Sequence, residues 1–399
     1  MKILILTPQL PYPPHQGTSL RNFHIIRGLA QQHDITLLSF LEENQTADLP
    51  TIAPLQALCH QIETVTVPRR NLAHRLWQLL SSRLPDMAHR LYDPVFKDAL
   101  RQLLTANHFD VIQVEGIELA RYMKLIRIAS KARLVFDNHN AETELQRRNF
   151  LTDLRQPRRW LAAAYSWIQV KRLRRFERWA CATADAVVAV SETDRNHLQT
   201  LLSNSHPPLV VIPNCIDTQI YQQPVTPLPF DLVFSGKMDY RPNVDAVLWF
   251  AAAVWPLICQ RRPSTTWAIV GQKPHARLSN LRGLPGVTVT GWVESIRPYL
   301  TGAQVVIMPF RIGSGTRLKL IEAMAAGRAV VSTPVGAEGF PVQHDEQLLL
   351  TDTAETMAAA ILQLLDQPQL QQRLGQAAQL FAQQYDWRQV VPKFEQIYL

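Results

Sequence analysis

Cysteine is scarce in this chain. Only Cys59, Cys181, Cys215 and Cys259 occur, and no two are closely spaced. A zinc site or a disulfide scaffold needs paired spacing, so both are excluded as organising principles and a reducing cytoplasm is expected. Low-complexity tracts are absent. Charged residues make up 19% against 47% hydrophobic, which excludes wholesale disorder. Long apolar runs are missing too. The opening run in MKILILTP stops at Leu6 before a proline-rich turn, too short for a secretory signal, and reads as a buried strand. The longest run, Ala246 to Cys259, is shorter than a membrane span and contains Pro256, so it reads as a buried helix. No Gly-Lys-Ser/Thr sequence closes a P-loop.

What is present is positive charge. A formal net charge of +8 points to an anionic partner: a nucleotide diphosphate, nucleic acid or a lipid surface. Basic residues do not interleave with aromatics on strand-like alternation, so no nucleic acid is expected as a partner.

Short β-branched or Leu-rich runs alternate with helical patterns. Strands are expected at Lys2–Thr7, Ile35–Phe40, Glu63–Val67, Val111–Val114, Leu134–Asp137, Ala186–Val190 and Val210–Ile212. After a stretch with Pro224, Pro227 and Pro229 the alternation restarts, at Leu232–Ser235, Thr266–Val270, Val287–Val289, Val305–Met308 and Ala329–Ser332. Such alternation implies α/β architecture with parallel sheets covered on both faces. Two doubly wound halves are expected: an N-terminal domain over residues 1–222, a second over 223–385, and a C-terminal helix over 386–399 packing back on the first. Ligands of such sheets lie beyond the carboxyl ends of the strands.

The segment VVIMPFRIGSGTRLKLIEAMAAG, Val305 to Gly327, carries the clearest chemistry. A buried strand ends at Pro309, a small-residue loop follows, and a helix is expected to begin near Thr316. Small residues let backbone amides approach an anion, and a helix start adds unpaired N–H groups. Arg317 and Lys319 add positive charge, which suits a diphosphate; an ordinary strand–helix turn with a solvated basic face fits the same residues. A dinucleotide fingerprint is broken, because Leu318 stands at the third glycine position.

This segment resembles the donor-binding motif of retaining family-4-type glycosyltransferases with the GT-B fold, in which two Rossmann-like domains face each other across a cleft. In that family two glutamates flank a glycine loop and helix start. Glu322 matches the second, which binds the nucleotide ribose. Ser314 stands where the first, which touches sugar hydroxyls, would be. Gly315 and Thr316 match the phosphate-facing turn. FSGKMDYRPNVDA opens the second domain, where Lys237 resembles the residue that neutralises the donor diphosphate and Arg241 the second basic residue. IVGQ and VTVTGWVE resemble the segments holding the nucleobase near Gly271 and Val293. In the first domain Gly17 matches the glycine loop, and Arg21, on the following helix, is expected to meet a phosphate or to be a surface arginine. His139 in VFDNHNAETE resembles the cleft histidine that contacts the donor sugar. Glu142 would orient it or an arginine, or simply start a helix. Glu115, in VIQVEGIE, follows a strand and is read as facing the acceptor.

Metal-using glycosyltransferases usually carry an Asp-x-Asp motif, which this chain lacks. Lys237, Arg241 and Arg317 with the helix start are the expected replacement, so no metal or other cofactor is expected and a UDP- or GDP-sugar serves as donor. The resemblance implies hexosyl transfer with retention to a glycan or lipid-linked acceptor, in bacterial polysaccharide or glycolipid synthesis; PYPPHQG is similar to exopolysaccharide-type sugar transferases. A nucleotide-sugar 2-epimerase and a non-catalytic, transferase-derived binding protein are the alternatives. Two segments mixing Trp, Leu and Arg, from Arg69 to Tyr92 and from Arg155 to Ala182, fit either helices packed on their own domain or a peripheral site on the inner face of the plasma membrane.

Overall fold

The computed structural model describes residues 1–14, 17–43, 45, 47–154, 157–202, 206–313 and 315–399. By internal contacts the chain divides into two units. Unit 1 comprises Met1–Cys215 and Val390–Leu399, and unit 2 comprises Ile216–Gln389.

Unit 1 is built on seven strands: β1 (Lys2–Thr7), β2 (Asp34–Leu41), β3 (Gln61–Thr66), β4 (Val111–Glu115), β5 (Arg133–Asn138), β6 (Ala186–Ala189) and β7 (Leu209–Val211). Their order is β3-β2-β1-β4-β5-β6-β7, and every pair is parallel. Parallel neighbours need crossovers, and the helices that make them cover both faces. The central strands are accordingly apolar on both sides, with Leu4, Ile5, Ile112, Leu134 and Val135 essentially inaccessible. Phe40 stacks on Phe96 at 4.2 Å between ring centres, in a core that also holds Phe136. Helices that bear on function are α1 (Gly17–Leu29), α2 (Leu72–Ser81), α3 (Glu142–Leu154) and α4 (Trp160–Thr183).

Unit 2 repeats the plan with β8 (Phe230–Ser235), β9 (Trp267–Val270), β10 (Val287–Gly291), β11 (Ala303–Met308), β12 (Ala329–Ser332) and β13 (Leu349–Leu350). The order β10-β9-β8-β11-β12-β13 is again parallel throughout. The sequence reading misses β13, which has only two residues. The run expected as one buried helix is α5 (Arg241–Trp249), a π turn over Phe250–Val254, and a helical stretch over Trp255–Arg261. Pro256 has no N–H and would clash with the carbonyl four residues back, and widening the turn accommodates it. Phe250, Val254, Trp255 and Ile258 are buried, and Phe250 and Trp255 pack on Trp267. The helix of the basic loop, α6, runs Leu318–Ala325, two residues later than expected.

The last helix, α7 (Pro392–Tyr398), belongs to unit 1. Arg133 Nε donates to the Ile397 carbonyl at 2.6 Å, and His33 Nε2 lies 3.2 Å from Glu395. Gly28 leaves room for Val391, whose Cγ1 would lie 2.6 Å from a Cβ at that position. Just before this segment, in unit 2, Asp386 accepts from the Thr218 N–H and hydroxyl at 2.9 and 2.6 Å.

Candidate active site

In their own counting the sheets have the strand orders 3-2-1-4-5-6-7 and 3-2-1-4-5-6, so in each the order reverses between its first and fourth strands. A crevice opens at the carboxyl ends of the strands on either side of such a reversal. In unit 1 these are β1 and β4, and in unit 2 β8 and β11.

At the unit 1 position, β4 ends in Glu115 and β5 in Asp137 and Asn138. Both carboxylates are buried. Arg21 reaches Asp137 Oδ2 from α1 with Nε at 3.2 Å and Nη2 at 2.8 Å, and it donates further to the carbonyls of Ile212 and Pro213 and to Asn214. At 1% exposure, Arg21 is not the surface arginine that is one of the two readings of the sequence. It neutralises a buried aspartate. Gly17 opens the same helix and is exposed.

His139 follows β5. Its Nε2 lies 2.7 Å from Glu115 Oε2, and the ring is 16% exposed. Gln113 donates to the other Glu115 oxygen and accepts from the Tyr398 hydroxyl, so the last helix holds the pair from behind. Burial disfavours the charged ring, but the Glu115 hydrogen bond and the charges of Glu115 and Asp137 outweigh it and raise the His139 pKa. Glu115, Asp137 and His139 offer ligand atoms within 4.8 Å of one another, a donor set a metal ion could use. Arg21 holds Asp137 Oδ2 and Gln113 holds Glu115 Oε1, which leaves Asp137 Oδ1 without a hydrogen-bond partner and Glu115 Oε2 facing His139.

Glu142 does not meet His139. Its Oε1 accepts from Asn140 at 3.0 Å, and burial with the nearby Glu118 raises its pKa to about 8. The start of α3 is filled by Glu177 of α4, which is inaccessible to solvent. Its carboxylate accepts from the N–H groups of Glu142 and Thr143 at 2.9 and 3.1 Å and from Asn138 at 2.9 Å.

In unit 2 a loop leaves each of the neighbouring strands β8 and β11. After β8 the chain turns at Gly236. A Cβ on Gly271 would lie 1.7 Å from the Gly236 carbonyl, so the two strand-end turns touch and only glycine fits there. Asn243 on α5 is buried and fixes the first turn by donating to the Lys237 carbonyl at 2.8 Å. Its Oδ1 accepts from Lys319 Nζ at 2.9 Å. That ammonium sits 5.0 and 5.2 Å from the ring centres of Phe234 and Phe310. A Cβ on Gly236 would come within 2.3 Å of it. Burial, and secondly the Arg317 charge, lower the Lys319 pKa to about 7.

Arg317 donates to the Gly315 carbonyl at 3.1 Å, and its guanidinium lies 4.8 Å from the Phe310 ring centre. Thr316 lies beside it in the loop. Lys237 is 40% exposed and 3.9 Å from Asp239, and Arg241 is exposed at the start of α5. Glu322, one turn beyond Lys319 on α6, accepts from the Tyr221 hydroxyl at 2.6 Å. Val293 is half-buried beside exposed Trp292 after β10. Ser314 lies outside the described residues, as do His15 and Gln16 of the opening motif. In unit 2 the fold thus gathers Lys237, Gly271, Gly315, Arg317 and Glu322 around the reversal of the sheet. In unit 1 it gathers Arg21 and His139.

Several participants escape the sequence reading as site residues: Asn243, Tyr221, Asp137 and Gln113. Lys319, read from the sequence as positive charge for a diphosphate, stands three residues before Glu322 and therefore on one helix face with it. Asn243 and Gln113 act through pairings distant in sequence, which no local pattern carries.

Paired doubly wound units with glycine-rich turns and clustered cations at the sheet reversal define a nucleotide-binding α/β protein. Residues 16–220, more than half of the chain, match the family described as Glycosyltransferase Family 4, and residues 229–367 match Glycosyl transferases group 1. The chain belongs to the family-4 glycosyltransferases. Among curated relatives, glycogen synthase of Mycobacterium tuberculosis is 24% identical over 60% of this chain and 59% of its own length. D-inositol 3-phosphate glycosyltransferase of Pseudarthrobacter chlorophenolicus is 32% identical over 41% of each chain. An uncharacterised protein of the Klebsiella pneumoniae cps region is 24% identical over 33% of this chain and 36% of its own. The chain thus spans less than two thirds of the curated relatives it matches. Sucrose-phosphate synthase from Thermosynechococcus elongatus superposes with a TM-score of 0.73, covering 100% of this chain and 98% of its own at 18% identity. Anabaena HepE in complex with UDP-glucose gives 0.65 over 99% of both chains at 17% identity. These likenesses show the GT-B type of fold, two Rossmann-like domains.

Proposed function

We propose that the protein transfers a hexosyl group from a UDP- or GDP-sugar to a glycan or lipid-linked acceptor, with retention and without a metal ion, in bacterial polysaccharide or glycolipid synthesis. The observation that carries this reading is the Lys319 ammonium, held by Asn243 against the Gly236 turn. Breaking the bond from the anomeric carbon to the donor phosphate oxygen leaves a nucleoside diphosphate with added negative charge. Fixed cations and amide dipoles stabilise that charge without reorganising. Lys237, Lys319, Arg317 and Arg241 are cations that follow β8 and β11 in unit 2, and Glu322 with Tyr221 offers the polar edge for the ribose. The leaving phosphate takes the acceptor hydroxyl proton as the new glycosidic bond forms on the same face. His139, steadied by Glu115, serves as donor to the transferred sugar. Support comes also from Anabaena HepE, solved with UDP and with UDP-glucose, and from TarM, solved with UDP and α-GlcNAc-glycerol.

Thermal stabilisation of the pure protein across a panel of nucleotide sugars, with and without EDTA, tests the proposal. A ligand that binds only the native state raises apparent stability by mass action. One UDP- or GDP-sugar should shift the transition selectively, with the same shift in EDTA. A shift abolished by EDTA would overturn metal independence. No shift with any nucleotide sugar would overturn the donor site.

A further inference from the structure

The helix α2 lies on unit 1 inside out. Its N-cap Asn71 accepts from the His74 N–H at 2.7 Å, so the helix is well formed. None of its ten residues is buried. The polar side is the one that faces protein. Gln78 accepts from Arg70 at 2.9 Å, Arg75 approaches Asp86 at 3.5 Å and bonds Tyr165 of α4, and Arg172 of α4 donates to the Leu79 carbonyl at 2.7 Å. The apolar side faces outward: Leu72 is 70% exposed, Leu76 55%, Trp77 63% and Leu80 87%. At 100° per residue these four fall on one arc. Leu161, one turn before Tyr165 on the same side of α4, is 91% exposed.

A helix normally buries such a face, so this one is built for a partner. The surrounding charge says which. From Pro68 to Arg83 the chain carries four arginines and no carboxylate, and from Arg158 to Arg175 six basic residues and no carboxylate. Two copies of this patch pressed together would oppose like charges, which disfavours a symmetric dimer. An anionic bilayer satisfies both features: acyl chains receive the leucines and tryptophan, and headgroups receive the exposed arginines Arg69, Arg83 and Arg158. We propose that the outward face of α2, with Leu161, docks unit 1 on an anionic lipid surface. None of the donor-site residues takes part, so this assignment and the donor-site reading stand or fall separately.

The test is co-sedimentation of the full chain with phosphatidylcholine vesicles containing about a third phosphatidylglycerol, against pure phosphatidylcholine. The protein should pellet with the anionic vesicles, far less with the zwitterionic ones, and less as salt rises. The triple variant Leu76→Gln, Trp77→Gln, Leu80→Gln should partition about tenfold less or weaker, since three interfacial anchors are lost. Its thermal midpoint and nucleotide-induced shift should stay close to the parent values, because these side chains are mostly exposed. The proposal is overturned if the parent stays in the supernatant, if the variant pellets equally well, or if both vesicle types bind alike. It is also overturned if the parent is a dimer that the variant dissolves, which would assign the face to a second copy of the chain.

Discussion

Glu115 is buried and touches His139 at 2.7 Å, and through that contact it sets the charge of the ring. Replacing it with glutamine keeps the shape and removes the negative charge. Glu115→Gln should lower the His139 pKa, and the limb of the kcat profile that follows the ring should move to lower pH. An unmoved profile would detach His139 from turnover. The same shift governs stability. A ring with a raised folded-state value contributes stability that is fully present below its unfolded value of about 6.5 and is lost as pH rises through the folded value. The stability gap between parent and Glu115→Gln in denaturant titrations should therefore narrow as pH is raised through that window. A gap that widened would reverse the assignment.

Lys319 predicts the opposite pairing of effects. Its pKa is pushed down to about 7, so at slightly alkaline pH an arriving diphosphate should pull a proton onto the amine. Calorimetry in buffers of different ionisation enthalpy should show proton uptake on UDP binding, and buffer-independent heats would count against the contact. Lys319→Met should weaken UDP binding by about tenfold, as expected for one charge-assisted contact. The same change should leave the fold equal or more stable, because it removes a poorly solvated amine. A variant that lost stability and kept its affinity would make Lys319 structural.

At the scale of elements, the turn pair Gly236–Gly271 sets the floor of the donor site. Gly271→Ala would drive a methyl carbon into the Gly236 carbonyl at a backbone φ of +153°, so the strand ends must separate. The variant should lose roughly 3 kcal/mol or more of stability, or nucleotide binding before stability if the turn yields locally. Denaturant unfolding with and without UDP distinguishes the two, and an unchanged protein would refute the close approach. Strands such as these were legible in the sequence because burial on both faces leaves continuous β-branched runs. Twelve of the strands lie within a residue or two of their expected ends. The two-residue β13 has too few side chains to make a pattern. The π turn before Pro256 was half legible: the proline marks a disturbance, but which way the helix yields depends on Trp267 beneath it. The candidate site was legible where one loop carries it, as at Arg317 and Glu322. It was not legible where the partner is distant. Arg21 reads as a surface arginine because its aspartate comes 116 residues later.

At the scale of the whole molecule, two sheets that share the order of their first six strands lie in one chain, and the cations that suit a diphosphate cluster on unit 2. Hydrogen exchange with saturating UDP should show protection over residues 236–243 and 315–322, with smaller changes in β1–β3. Protection confined to unit 1 would place the nucleotide on the wrong half.

Unit 1 is closed by residues that come after unit 2 in the chain. Val391, Glu395 and Tyr398 complete its packing and hold Gln113 behind Glu115, yet a ribosome reaches them only after all of unit 2 has been synthesised. The first sheet must therefore wait, with a gap at its back and a buried carboxylate unsupported, while some 170 residues of unit 2 emerge and fold, a span given by Ile216–Gln389. Maturation of the His139 site then has to follow the synthesis of unit 2. A chain stopped near residue 390 would carry both sheets and still leave the histidine without its brace.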